Sequence, residues 1–148
     1  SDVCSSDLER YSDRNPSVIN FVANKGRVFL PHTPRLTVPE PDLAAYKDFP
    51  LDTQYEEIEW EDVTPVLVCE VLFAQTIEKD LGRNPSLYLA VPSIQEYWVL
   101  NGSENPNKPS LLQHVRQGKR WAVTKLVYGD TLTTKLLPGF KLLINPRK

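Results

Sequence analysis

Methionine is absent from the 148 residues, histidine and glycine are scarce at two and six, and cysteine occurs twice, as Cys4 and Cys69. Two cysteines so placed offer no disulfide framework and no metal-ligand spacing. Cys69 lies in an apolar run and reads as a small hydrophobe. His32 and His114 have no spaced partners, so neither is assigned a metal or catalytic role. No run of about 18 or more apolar residues occurs, so no membrane-spanning helix is expected. The N-terminus also lacks the basic-then-apolar order of a signal peptide. The expectation is a soluble, cytoplasmic protein in which the sequon Asn101-Gly102-Ser103 goes unused.

What is there fits one domain: 148 residues with 41% apolar content can bury a single core. The net charge of −2 conceals a division. Residues 1–80 carry 16 acidic and 7 basic side chains, whereas residues 81–148 carry 3 acidic and 10 basic. Such asymmetry can mark a nucleic-acid-binding face, and Lys119, Arg120 and Lys125 around Trp121 are the candidate phosphate contacts. The competing reading of that cluster is a solvated hairpin.

The opening Ser1-Asp-Val-Cys-Ser-Ser-Asp-Leu8 resembles the translated end of a sequencing adapter. Residues 1–25 are therefore set apart as an atypical, remnant N-terminal segment, with 1–8 read as artefact, and residues 26–148 as the domain proper. Leu8 to Val22 reads as a helix broken by Pro16, and Gly26 to Leu30 as a short strand. Leu36 to Tyr46 reads as a strand in which Pro39 and Pro41 remove two ladder donors, which places it at an edge. Phe49 to Asp62 is acidic and reads as a solvated connection with one helical turn.

Thr64 to Phe73 is the clearest strand, a β-branched and apolar run of the kind buried on both faces. A helix is expected to follow, with Asn84 as N-cap, Pro85 at its first position and Pro92 beyond its end. Glu96 to Leu100 then returns as a strand, completing a βαβ-like unit. Leu111–Arg116 and Arg120–Val127 form a hairpin around Gln117-Gly118-Lys119. Strands at Thr131–Leu136 and Phe140–Ile144 complete a β-rich tail expected to extend the sheet and close the core. Tyr88, Tyr97 and Trp98 are read as core residues.

Two carboxylates stand out against these apolar strands. Asp42 lies in the Pro-Glu-Pro-Asp-Leu stretch, and Glu70 interrupts Val66-Leu-Val-Cys-Glu-Val-Leu-Phe73, with Glu40 and Asp80 nearby in sequence. A carboxylate buried among apolar residues is costly unless it is paired, hydrogen-bonded or metal-bound. Two on neighbouring strands point to a divalent-cation site. Satisfaction of Asp42 by backbone N–H groups at a bulge remains the alternative.

The stretch TPVLVCEVLFAQTIEKDLGRNPSLYLAVPSIQEYWVLN, preceded by EPDLAAY and followed by TTKLLPGFKLLI, resembles the Uma2 family, a branch of the PD-(D/E)xK restriction-endonuclease-like superfamily. The resemblance spans roughly residues 26–146. It implies an α/β fold, a mixed β-sheet flanked by helices, with a β-rich C-terminal extension. It further implies a Mg²⁺- (or Mn²⁺-) dependent DNA endonuclease in which Asp42 and Glu70 bind the metal, with DNA as partner and a homodimer as a natural assembly. The sequence departs from the motif at one position: two residues after Glu70 stands Leu72 instead of lysine. Asn84 occupies the place where family members carry a replacement lysine. Lys79, beside Asp80, is the nearest substitute, and Arg83 is within reach as a further contact. Lys79 as a surface residue and Asp80 as a helix-start cap are the competing assignments. The alternative function is a degenerate nuclease fold that binds nucleic acid or a protein partner without cutting.

Overall fold

Apolar runs separated by proline- and asparagine-containing connections form two α-helices and ten strands among the described residues of the computed structural model. Those residues are 2–26, 28–29, 37–38, 40–60, 62–72, 77–102, 105 and 107–145, with the side chains of 2–3, 37–38 and 77–82 outside the description. In chain order the elements are α1 (Asp2–Arg14), β1 (Phe21–Asn24), β2 (Val28–Phe29), β3 (Thr37–Val38) and β4 (Leu43–Tyr46). After a 3₁₀ turn at Tyr55–Glu57 come β5 (Leu67–Leu72), α2 (Ile77–Leu89), β6 (Glu96–Asn101) and β7 (Ser110–Gln117). The chain continues through β8 (Arg120–Leu126), β9 (Thr131–Leu132) and β10 (Leu142–Leu143).

Six strands make the main sheet in the order β1-β4-β5-β6-β7-β8. Its pairs are antiparallel except β5 and β6, which run parallel with α2 as the crossover between them. The expected α/β architecture, a mixed sheet flanked by helices, is therefore the observed one. Alternation along the strands divides the core in two. Leu43, Ala45, Leu67, Cys69, Trp98 and Leu100 face α1 and the C-terminal tail, where Leu8, Leu132, Leu137, Phe140 and Ile144 are also buried. Ala44, Tyr46, Val68, Leu72, Tyr97 and Val99 face the other way, toward Tyr88 of α2 and Phe49. Cys4 and Cys69 are both buried free thiols, and Cys69 packs as the expected small hydrophobe.

Local expectation and structure part in four places. The helix α1 stops at Arg14, before Pro16, and β1 starts at Phe21, since the residue preceding a proline disfavours helical geometry. The Leu36–Tyr46 run is two strands, and β4 lies inside the sheet between β1 and β5. Pro41 precedes β4, so Leu43–Ala45 pair on both sides with no missing donor, Tyr46 pairs with β1, and all four are buried. The helix α2 begins at Ile77, placing Asn84 and Pro85 in its interior. Proline there forfeits one helical hydrogen bond; tertiary contacts outweigh it, because Tyr88 is fully buried and Trp121 Nε1 donates to the Pro85 carbonyl at 2.8 Å. The tail does not extend the sheet. It forms its own ribbon, β9 with β10, and closes one core by stacking Phe140 on Trp98 at a ring-centroid distance of 5.8 Å. No helix among the described residues is long and apolar enough to cross a membrane.

Candidate functional site

The strand β5 carries Glu70 on the α2 face, two residues before the strand's end, and the side chain is only 6% exposed. A nearly buried carboxylate needs its oxygens satisfied, and three of the described residues do so. Tyr88 donates to Oε1 at 2.7 Å and Tyr97 donates to Oε2 at 2.7 Å. The Asn84 amide sits 3.1 Å from both oxygens. Asn84 and Tyr88 are four apart and so share one face of α2, while Tyr97 comes from β6 beside β5. All three donors are neutral: they fix the carboxylate's orientation and bring no positive charge to it. Burial, followed by the charge and hydrogen bond of Glu70, pushes the Tyr88 hydroxyl far above the ordinary phenol range, so it remains a proton donor.

Asp42 stands at the entrance to β4, where the register places it across from Glu70, one step beyond the Leu43–Cys69 pair. Its Oδ2 accepts the Val71 N–H at 2.7 Å, and its backbone carbonyl accepts the Lys25 N–H at 3.2 Å. One backbone N–H, from the neighbouring strand and not from a bulge in its own, holds the carboxylate: one oxygen is anchored to β5 next to Glu70. Oδ1 has no hydrogen bond among the described residues. Both carboxylates sit toward the carboxyl end of the parallel β5–β6 pair, the end at which open α/β sheets bind ligands.

The remaining candidates scatter. Lys79 and Asp80 lie in the first turn of α2, with side chains outside the description. Glu40 is exposed, as is Arg83, whose Nε lies 3.4 Å from the Asn84 amide oxygen. The basic cluster is divided. Arg120 pairs with Gln117 and, with Lys119, borders the β7–β8 turn, whereas Lys125 pairs with Leu112 toward the other end of the hairpin. At about 3.3 Å per residue the two groups are some 17 Å apart along β8. The residues that sequence reasoning missed are Asn84, Tyr88 and Tyr97, read as cap and core. The available signal was the helical spacing of four between Asn84 and Tyr88, which puts an amide and a phenol on one buried face.

The oxygen donors fit a hard divalent cation. No group of three or more metal-ligating His, Cys, Asp or Glu residues occurs among the described residues. Mg²⁺ is ordinarily held by one or two carboxylates, with water and substrate phosphate supplying the rest. Asp42 and Glu70 supply two carboxylates on adjoining strands, a donor set that would suit such an ion. A search among curated proteins finds no match to this chain. The model of one family, Uma2, described as putative restriction endonuclease, matches residues 7–145. With nearly the whole length matched and a mixed sheet carrying the carboxylate pair at its strand ends, the chain belongs to the Uma2 family of restriction-endonuclease-type proteins.

Proposed function

We propose that this chain hydrolyses phosphodiester bonds in DNA with a divalent cation, Mg²⁺ or Mn²⁺, at Asp42 and Glu70. The observation that carries the reading is a pair of carboxylates at the strand-end edge: Glu70, 6% exposed and held among the described residues by the neutral donors Asn84, Tyr88 and Tyr97, with Asp42 anchored beside it through the Val71 N–H. A buried charge without a countercharge is unfavourable in a core. A bound cation supplies that countercharge, polarises a phosphoryl oxygen and lowers the pKa of a coordinated water. The chain's own residues orient the ligands. Tyr88 and Tyr97 hold one Glu70 oxygen each, and the Val71 N–H holds Asp42 Oδ2, leaving Oδ1 for the metal. Lys79, Asp80 and Arg83 from α2 are assigned to assist, the two cations by neutralising the substrate phosphate and Asp80 in support of the metal ligands.

A second reading rests on Asn84. Its amide spans both Glu70 oxygens, and it stands where a lysine is expected, with Leu72 at the other lysine position. A site closed in this way binds without cutting. The two readings separate in one experiment: nicking of supercoiled plasmid with Mg²⁺, run beside calorimetric titration with Mn²⁺. Nicking together with Mn²⁺ binding, both lost in Asp42→Ala and Glu70→Ala, supports the enzyme. Mn²⁺ binding without nicking supports the non-cutting protein, and absence of both removes the metal centre altogether.

A further inference from the structure

The register of the main sheet ties one lysine to the candidate site. Glu70 pairs with Val99, Val99 with Leu112, and Leu112 with Lys125, so these four residues form a single cross-strand row. Partners in register share a face, and Val99 and Leu112 both belong to the α2-side core. Lys125 therefore stands on the same face as Glu70, three strands away, about 14 Å at the usual strand spacing. The next row, Leu72–Asn101–Ser110, runs beside it toward the carboxyl end of β5 and β6.

At the end of these two rows opens a cleft of about 340 Å³. Lys108 and Lys125 supply its charge, Asn101, Asn105 and Ser110 supply polar groups, and Tyr128 supplies an aromatic ring. Lys108 and Lys125 are exposed, and Tyr128 is 45% exposed although aromatic. The volume lies at the small end of ligand clefts. Cations that follow a backbone, combined with an open ring on which a base can stack, are the chemistry of single-strand recognition. A flat run of phosphate contacts for a duplex would need neither concavity nor a stacking ring. Lys119 and Arg120 lie at the far end of the hairpin, at the opposite end of β8 from Lys125.

We propose that the cleft lined by Lys108, Lys125 and Tyr128 holds a nucleotide of a single-stranded nucleic-acid segment, presenting the adjoining backbone to Asp42 and Glu70. The proposal rests on the nuclease reading for what the strand is presented to, and on the cleft alone for binding. Its test is fluorescence anisotropy of the full chain in EDTA, with a labelled mixed-sequence 12-nucleotide single strand and the blunt duplex made from it. The single strand is expected to bind more tightly than the duplex. Lys108→Ala with Lys125→Ala is expected to reduce the slope of log affinity against log salt by about 1.4, two phosphate contacts' worth on single strands. Tyr128→Ala is expected to weaken binding roughly tenfold at unchanged slope, and Tyr128→Phe to restore it. Equal loss from Lys119→Ala with Arg120→Ala, or preference for duplex, would each overturn the cleft assignment. Cleft-dependent binding in a protein that never nicks plasmid would leave the cleft standing and remove the nuclease reading. Nicking that is indifferent to the cleft variants would do the reverse.

Discussion

Glu70 and Glu96 are buried to a similar degree, 6% and 3% exposed, on opposite faces of the same sheet, and each is held by neutral donors. Glu96 Oε1 accepts from Trp98 Nε1 at 2.9 Å and from Gln113 Nε2 at 3.1 Å, and Oε2 accepts from the Thr134 hydroxyl. Its donors come from its own strand, the neighbouring strand and the C-terminal tail, so the carboxylate fastens β6 and β7 to the tail. Thr134 passes the tie onward by accepting the Leu136 N–H. Glu70 fastens α2 to β5 and β6 in the same way, yet it has a second carboxylate, Asp42, on the adjoining strand at the strand-end edge. Burial and hydrogen bonding alone do not separate a structural carboxylate from a functional one. Company and position on the sheet do: Glu96 opens β6 under the tail, and Glu70 lies near the carboxyl end of β5.

The sharpest way to break that contrast is in activity. Asp42→Ala or Glu70→Ala is expected to lower metal-dependent plasmid nicking by about a hundredfold or more, the scale of removing one electrostatic stabiliser of a transition state. Glu96→Gln is expected to keep the wild-type rate, and equal losses in the two variants would dissolve the distinction. Next in size, Asn84→Lys places a cation against Glu70 and is expected to raise nicking about tenfold; an unchanged or lower rate would show that the amide is not what limits the site.

The Glu96 pocket is tested through stability. Glu96→Ala strands the donor-only Trp98 indole and the Gln113 amide in the core, and should cost about 3 kcal/mol in a urea unfolding curve. Thr134→Ala should cost about 1 kcal/mol. A Glu96→Ala protein as stable as the parent would show that the tail is held by apolar packing alone. The smallest effect concerns His114, tilted against Tyr97 at a ring-centroid distance of 4.9 Å with Nδ1 3.0 Å from the Tyr97 carbonyl. Burial lowers its pKa below the ordinary 6.5, so the folded state favours the neutral ring. That contribution is present above pH 6.5 and is lost as pH falls below it. His114→Gln should flatten the acid limb of the stability–pH curve below pH 6.5, and an unchanged limb would assign the acid sensitivity to other groups.

The sequence itself carried the elements that local chemistry controls. The apolar run around Glu70, the hairpin at Gly118 and the return strand Glu96-Tyr-Trp98 formed where side-chain alternation and turn residues put them. Gly118 has a positive φ of 65°, as the tight turn requires. The burial of Glu70 was legible for the same reason, a charged group inside a β-branched run. Prolines misled where tertiary contacts outweighed them: Pro85 reads as a helix start, yet Asn84 and Tyr88, bonded to Glu70, hold a helix that runs through it. The long-range partners of both buried glutamates were not assigned from the linear order. Tyr88 and Tyr97 lie 18 and 27 residues from Glu70, and Thr134 lies 38 from Glu96. Such pairings follow from strand order and register, which nonlocal packing selects. The same cause divided Lys119 and Arg120 from Lys125: they are near neighbours in sequence, but an extended strand carries them to opposite ends of one sheet. The sequence alone thus determined that carboxylates would interrupt a buried sheet, because their neighbours are apolar. Only the tertiary structure decided which of them acquired a second carboxylate, a ring of neutral donors and a lysine in the same row.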